Sequence, residues 1–142
     1  LNSLELDAAA LKDMQEEIAE SHCGMLPDHM VKPMILGQRT RDAVMAKAMV
    51  EARGGGRSVL IAGSGHTRSD RGAPAYVAAR DSGAVIVSIA WMEVSEGVLE
   101  PREYADYWGT EQLPFDYVWF TPALERPDPC EEMKAHMKKH GK

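Results

Sequence analysis

Positions 63 to 70 read Gly63-Ser64-Gly65-His66-Thr67-Arg68-Ser69-Asp70, which sets an imidazole, a guanidinium and a carboxylate within five residues of chain. A neutral imidazole titrates near physiological pH, so His66 can serve as a metal ligand or a general base. Arg68 and Asp70 supply a charge of each sign to hold a ligand or each other. Gly63 and Gly65 allow a sharp turn and a close approach of backbone to ligand. A purely structural role for His66, capping a neighbouring helix or bonding a carbonyl, is the alternative. Related loops are excluded residue by residue. A dinucleotide fingerprint needs glycine where Arg68 stands, and a phosphate-cradling loop needs Gly-Lys-Ser/Thr after four intervening residues. A nucleophile elbow around Ser64 needs glycines where Ala62 and His66 stand.

A second set of polar groups lies upstream. On a helical wheel Met30, Met34, Met45 and Met49 share one face, and Gln38, Arg41 and Asp42 project from it. Lys32, Arg39, Thr40, Lys47 and Glu51 take the other side. Charges on an inward face persist when they are paired or bonded. Either an Arg41–Asp70 or Asp42–Arg68 pair locks the helix to the loop, or Gln38, Arg41 and Asp42 line a cavity shared with His66. His22 and Cys23 precede this helix and can reach the same region. Tyr76 follows the loop closely enough to act as a ligand or a positioning hydroxyl, with packing as its alternative role.

The elements that hold these groups follow from periodicity and punctuation. Leu4, Ala8, Leu11, Met14 and Ile18 form the apolar stripe of a first helix that ends near Gly24. A second helix is expected from an Asp28 N-cap to about Arg53, stopped by Gly54-Gly55-Gly56, with Pro33 marking a kink or a later start. Arg57–Ala62 and Ala84–Trp91 are short, continuously apolar runs of the kind seen in strands covered on both faces. A crossover helix over Gly72–Asp81 makes them a right-handed βαβ unit around the Gly-Ser-Gly-His loop. The loop then leaves a strand's carboxyl end, where open α/β sheets bind ligands. A short helix is expected over Pro101–Trp108 and a third strand over Tyr117–Thr121. Pro122–Pro129 is extended, and Glu131–Lys139 is a small surface helix, so 123–142 forms a tail. Trp91 and Trp119 are assigned to the core; Tyr104, Tyr107 and Trp108 form an apolar wall or a dimer patch. The fold class is α/β, a parallel-type sheet with flanking helices within a larger three-layer domain.

The whole chain narrows the partners. Its 142 residues suit one domain, and a net charge of −6 argues against broad nucleic-acid binding. Lys134, Lys138, Lys139 and Lys142 cluster at the end with two histidines, which reads as a solvated helix end. No apolar run is long enough to span a bilayer. Cys23 and Cys130 are either a long-range disulfide or two buried thiols. The chain starts at Leu1 without a signal-peptide pattern and enters a helix almost at once, so it is read as a piece of a larger gene product.

Three ordered strings carry a family resemblance: His22-Cys23-Gly24-Met25-Leu26-Pro27, Gln38-x-x-Arg41-Asp42-x-x-Met45-Ala46, and Gly63-x-Gly65-His66-x-Arg68-x-Asp70-x-Gly72-x-Pro74. With Asp116–Pro122 and Asp128-Pro129-Cys130, the set resembles the ChaN-like haem-binding family. That family is grouped with Tiki metalloproteases and erythromycin-esterase-like proteins, which share a pair of Gly-x-x-His motifs. Gly63–His66 is similar to one member of the pair. The other, expected in an amino-terminal half, is missing, so residues 1–142 look like the carboxyl-terminal portion of a single ChaN-like domain.

The resemblance implies a bacterial haem-binding protein of the cell envelope or periplasm, linked to iron acquisition, with haem as cofactor and a possible homodimer. Tyr76, Tyr104 and Tyr107 are candidate axial ligands on chemical grounds. A metal-dependent hydrolase, with His66 holding a divalent metal, is the alternative within the wider grouping. A non-catalytic interaction domain with structural ion pairs is the third reading.

Overall fold

The computed structural model describes residues 4–140. Leu1 and Lys142, used in the expectations above, lie outside them. Helix α1 spans Ala8–Ser21, and the Asp7 carboxylate caps it by accepting from the Ala10 N–H at 2.8 Å. Leu4 therefore precedes the helix it was expected to join. The chain leaves α1 through Cys23 and Gly24, both left-handed at φ 58° and 66°. The Gly24 N–H donates back to the Ala19 carbonyl at 2.8 Å, which closes the last turn.

Helix α2 runs Asp28–Ala52, with Pro27 rather than Asp28 as its N-cap. Pro33 sits inside without ending it, since Asp28–Ala52 is continuous around it. Gly54 and Gly55, at φ 49° and 92°, turn the chain away. Asp42, Ala43 and Ala46 are the buried residues of α2. They meet α4, Ala73–Arg80, in a core of Ala43, Ala46, Tyr76 and Val77 edged by Met49, Val50 and Ile86. The inward face thus centres on the alanines, whose small side chains let α4 approach, with Met49 of the methionine stripe at its edge. Met30 is 39 % exposed. Arg39, expected outside, faces inward: its Nε donates to the Tyr76 hydroxyl at 3.2 Å and Nη2 to the Leu4 carbonyl at 2.8 Å.

The sheet is parallel. Strand β1, Ile89–Glu93, pairs with β2, Tyr117–Thr121, matching Ile89 with Tyr117 and Trp91 with Trp119. The connection passes through a 3-10 turn at Pro101–Glu103 and helix α5, Tyr104–Tyr107. This is an α/β arrangement in which Tyr117–Thr121 is the expected third strand and Ile89–Glu93 overlaps the expected second, but the expected pairing of Arg57–Ala62 with Ala84–Trp91 does not form. Residues 57–62 and 84–88 carry no ladder, and strand structure begins at Ile89. Just before the ladder, the Asp116 carboxylate accepts from the Ser88 N–H at 2.7 Å, and the Ser88 carbonyl accepts from the Asp116 and Tyr117 N–H groups.

Helices cover one side of these extended segments. On the other, Val59 and Ile61 are 86 % and 94 % exposed, and Val85 and Val87 are exposed with them. Trp91 and Trp119, expected in the core, are each 67 % exposed on this same bare side. A second core of Ala90, Met92 and Phe115 lies on the covered side, packed with Trp108, Val118 and Phe120. Helix α6, Pro129–His140, closes the described chain, and a disulfide joins its Cys130 to Cys23 at the end of α1. No helix among the described residues is long and apolar enough to cross a membrane.

Candidate functional site

The loop that carries the chemistry is a single helical turn, α3, Ser64–Thr67, with His66 inside it. Gly63 caps it at φ −61°, and neither Gly63 nor Gly65 adopts the left-handed backbone expected of a sharp turn. Their value differs: a Cβ on Gly65 would lie 3.0 Å from Glu17 Oε1, whereas one on Gly63 meets nothing within 4 Å. Gly72 is the tight position, where a Cβ would lie 2.5 Å from the His66 carbonyl oxygen and 2.8 Å from that of Arg68. The segment is pinned from outside as well. Ser69 donates through both N–H and Oγ to the Pro114 carbonyl, at 2.8 and 2.9 Å, and Ser88 Oγ donates to the Thr67 carbonyl.

Neither expected helix-to-loop pairing forms. Asp42 meets His66 instead, with Oδ1 2.7 Å from Nδ1, and the Gln38 amide lies 3.1 Å from the same nitrogen. Asp42 is 1 % exposed. Burial pushes its carboxyl above its ordinary value of 3.8, only partly offset by the bond to His66. With Asp42 ionised, Nδ1–H donates to it and Nε2 of His66 carries the lone pair; with Asp42 protonated the tautomer reverses.

Arg68, 1 % exposed, binds Asp70 in a two-point fork, Nε to Oδ1 at 2.9 Å and Nη2 to Oδ2 at 2.6 Å. It also donates to Glu17 at 3.3 Å and to the Trp108 carbonyl at 3.2 Å, with the indole ring 5.4 Å away. Arg71, equally enclosed, donates to the same Glu17 oxygen at 2.6 Å and to the Ala10 carbonyl at 3.0 Å. Glu17 therefore serves two buried arginines. It escaped the sequence reading, as did Arg71, because its partners lie 51 and 54 residues downstream. The one local signal was Asp13 and Glu17, four residues apart beside the apolar stripe of α1.

A cavity of about 310 Å3 opens between α1 and α2. Met14, Ile18 and Met34 give it an apolar wall, and Gln38, Arg41, Asp42, Gly65 and His22 bring polar groups to it. The structure thus gathers Gln38, Arg41, Asp42, His22 and Gly65 in one place, with His66 behind Asp42. Arg68 and Asp70 occupy each other. Tyr76 is elsewhere: 1 % exposed, in the α2–α4 core, its hydroxyl accepting from Arg39. Tyr104 accepts from the Ser95 N–H at 2.8 Å, and Tyr107 is 81 % exposed beside Trp108.

Residues 2–77 match the family described as haem-binding uptake, Tiki superfamily, ChaN. The chain belongs to this family. No curated protein and no solved structure matches the chain. Membership brings a coarse haem-handling role and a small-ligand partner. The donor chemistry separates the two groups that the family suggests. Among the described residues no three His, Cys, Asp or Glu side chains converge as a metal ion needs. Haem iron needs one or two axial donors, because the macrocycle supplies the rest. Imidazoles, thioether-lined walls and a guanidinium fit that group. The cavity is at the small end for a ligand site, so it would take one edge of a tetrapyrrole.

Proposed function

We propose that this chain forms the haem-contacting part of a bacterial haem-uptake protein linked to iron acquisition, working in the cell envelope or periplasm. The observation that carries the reading is the α1–α2 cavity, where methionines, histidine and arginine converge within the stretch of chain that matches the family. The Cys23–Cys130 disulfide supports an oxidising compartment. Titrating the full-length protein with haemin tests the function: a Soret band that saturates at a fixed stoichiometry is expected. An unshifted spectrum at equimolar haemin overturns it.

The bare side of the sheet supports a further part of the same reading. Strands that are apolar on both faces belong to sheets covered on both, and Val59, Ile61, Val85, Val87, Trp91 and Trp119, large apolar side chains exposed together, mark an interface. The amino-terminal half of the same domain is the cover. In the full-length protein Trp91 and Trp119 should then emit as buried indoles, shielded from iodide; quenching as strong as in the denatured protein would contradict it.

A second reading draws on one geometric fact, the 2.7 Å Asp42–His66 contact. A buried carboxylate that orients an imidazole is how a general base is held. On that reading the site moves protons in a hydrolysis, with a second Gly-x-x-His motif supplied by an amino-terminal half of the same domain.

A further inference from the structure

His22 was a weak candidate in sequence, one half of a His-Cys pair. Its surroundings are specific. Nδ1 lies 2.7 Å from the Ile18 carbonyl, four residues back at the end of α1. A carbonyl only accepts, so Nδ1 carries the hydrogen, and the neutral ring has its lone pair on Nε2. A backbone carbonyl holding one ring nitrogen is the usual outer support of a metal-binding histidine. The same nitrogen, Nδ1, lies 3.2 Å from Ser21 Oγ, and the next residue, Cys23, is tied to α6 by the disulfide. His22 lines the α1–α2 cavity, whereas His66 does not.

Arg41 lines the same cavity and differs from Arg71, which also lines it, and from nearby Arg68. Arg68 and Arg71 are engaged by Asp70, Glu17 and backbone carbonyls. Arg41 is exposed, and among the described residues no hydrogen bond or ion pair of its own is found. The cavity's carboxylates are already committed, Glu17 to two arginines and Asp42 to His66. The Arg41 charge acts on Asp42 beside it, but its guanidinium has no hydrogen-bond partner among the described residues. Next to an apolar wall it suits a ligand that is apolar in its body and carries a carboxylate.

Resting on the haem-handling reading, we propose that His22 is the axial iron ligand supplied by this chain, through Nε2, and that Arg41 binds a carboxylate of the same tetrapyrrole. None of the tyrosines lines the cavity, and Tyr107 stands exposed beside Trp108. Tyr76 is enclosed in another core and Tyr104 is bonded to Ser95.

The test uses the full-length protein with its disulfide formed, and haemin and haemin dimethyl ester as probes. Resonance Raman spectra of the wild-type haemin complex should carry an imidazole signature; a phenolate signature overturns the proposal without any variant. His22→Ala should lose that signature and recover it on adding imidazole, with far-UV circular dichroism unchanged. Arg41→Ala should weaken haemin about tenfold and leave the dimethyl ester, which has no free carboxylate, as it was. A His22→Ala protein with the wild-type haem spectrum overturns the His22 assignment while the haem-handling reading stands. A wild-type protein that binds neither probe overturns both.

Discussion

At the residue scale, the most consequential group is Asp42, a carboxylate buried against an imidazole. Its folded-state carboxyl titrates above the ordinary 3.8, chiefly because burial disfavours its charge. The folded protein therefore holds that proton more tightly than the unfolded chain does. Its contribution to stability is full below pH 3.8, is lost as pH rises through the raised value, and stays lost above it. Asp42→Asn keeps the shape and removes the charge, so it should raise the melting temperature at neutral pH and flatten this part of the stability–pH profile. Thermal melts of both proteins across acidic to neutral pH check this; equal slopes would show that Asp42 does not titrate differently on folding. Stability of this kind is commonly given up where a group is held for function. Gly72 makes the complementary point about space. A methyl group there would enter the His66 carbonyl, with only backbone to move aside. Gly72→Ala should cost about 1–3 kcal/mol in urea unfolding and displace His66, visible as a shifted imidazole resonance.

At the element scale, α1 and the loop around α3 are bound by ions more than by oil. Glu17 is the shared carboxylate of Arg68 and Arg71, both nearly fully enclosed. Glu17→Ala leaves Arg71 with the Ala10 carbonyl and, as its remaining carboxylate, a more distant Asp13 at 3.7 Å. Because Glu17 is itself partly open to water, the loss should fall at or below the low end of the range for a broken buried pair, about 2–3 kcal/mol. Chemical denaturation measures it, and amide exchange should show α1 loosening from α2 first. The helices themselves were legible in the sequence: the Leu11–Met14–Ile18 stripe, Gly24 and Gly54–Gly56 give α1 and α2 to within a few residues. The pairings were not. Arg41–Asp70 and Asp42–Arg68 were reasonable because sequence offered only α2 and the loop as neighbours. Arg68 instead folds onto Asp70, two residues away, and both arginines reach α1. Contacts across fifty residues depend on how helices stack, which periodicity does not encode. The same applies to which α2 face is inward. Four methionines made the larger apolar stripe, but three small groups, Ala43, Ala46 and the α4 backbone, decided the contact.

At the scale of the whole molecule, the extended apolar segments were legible as strand material, while their pairing was not. A ladder needs a neighbour at hydrogen-bond distance, and only β1 and β2 find one among the described residues. Trp91 and Trp119 were assigned to the core by composition, and they sit side by side on the uncovered face. Hydrophobicity says that a residue seeks cover without saying which chain segment provides it. The disulfide is the other feature of this scale. It closes a loop of 107 residues around both cores, and removing it through Cys23→Ser should cost about 2–5 kcal/mol. Guanidinium unfolding of the variant and of the reduced wild type should agree, since both lack the same crosslink.

That crosslink also imposes an order of events on biosynthesis. Cys23 is made 107 residues before its partner, so α2, the loop and both strands have all been synthesised before the bond can close. During that interval Cys23 is an unprotected thiol beside His22, open to mispairing with other chains or capture by stray metal. The covalent tie between the end of α1 and α6 can therefore form only after Cys130 has emerged, and until then the last turn of α1 is held by its own backbone bonds.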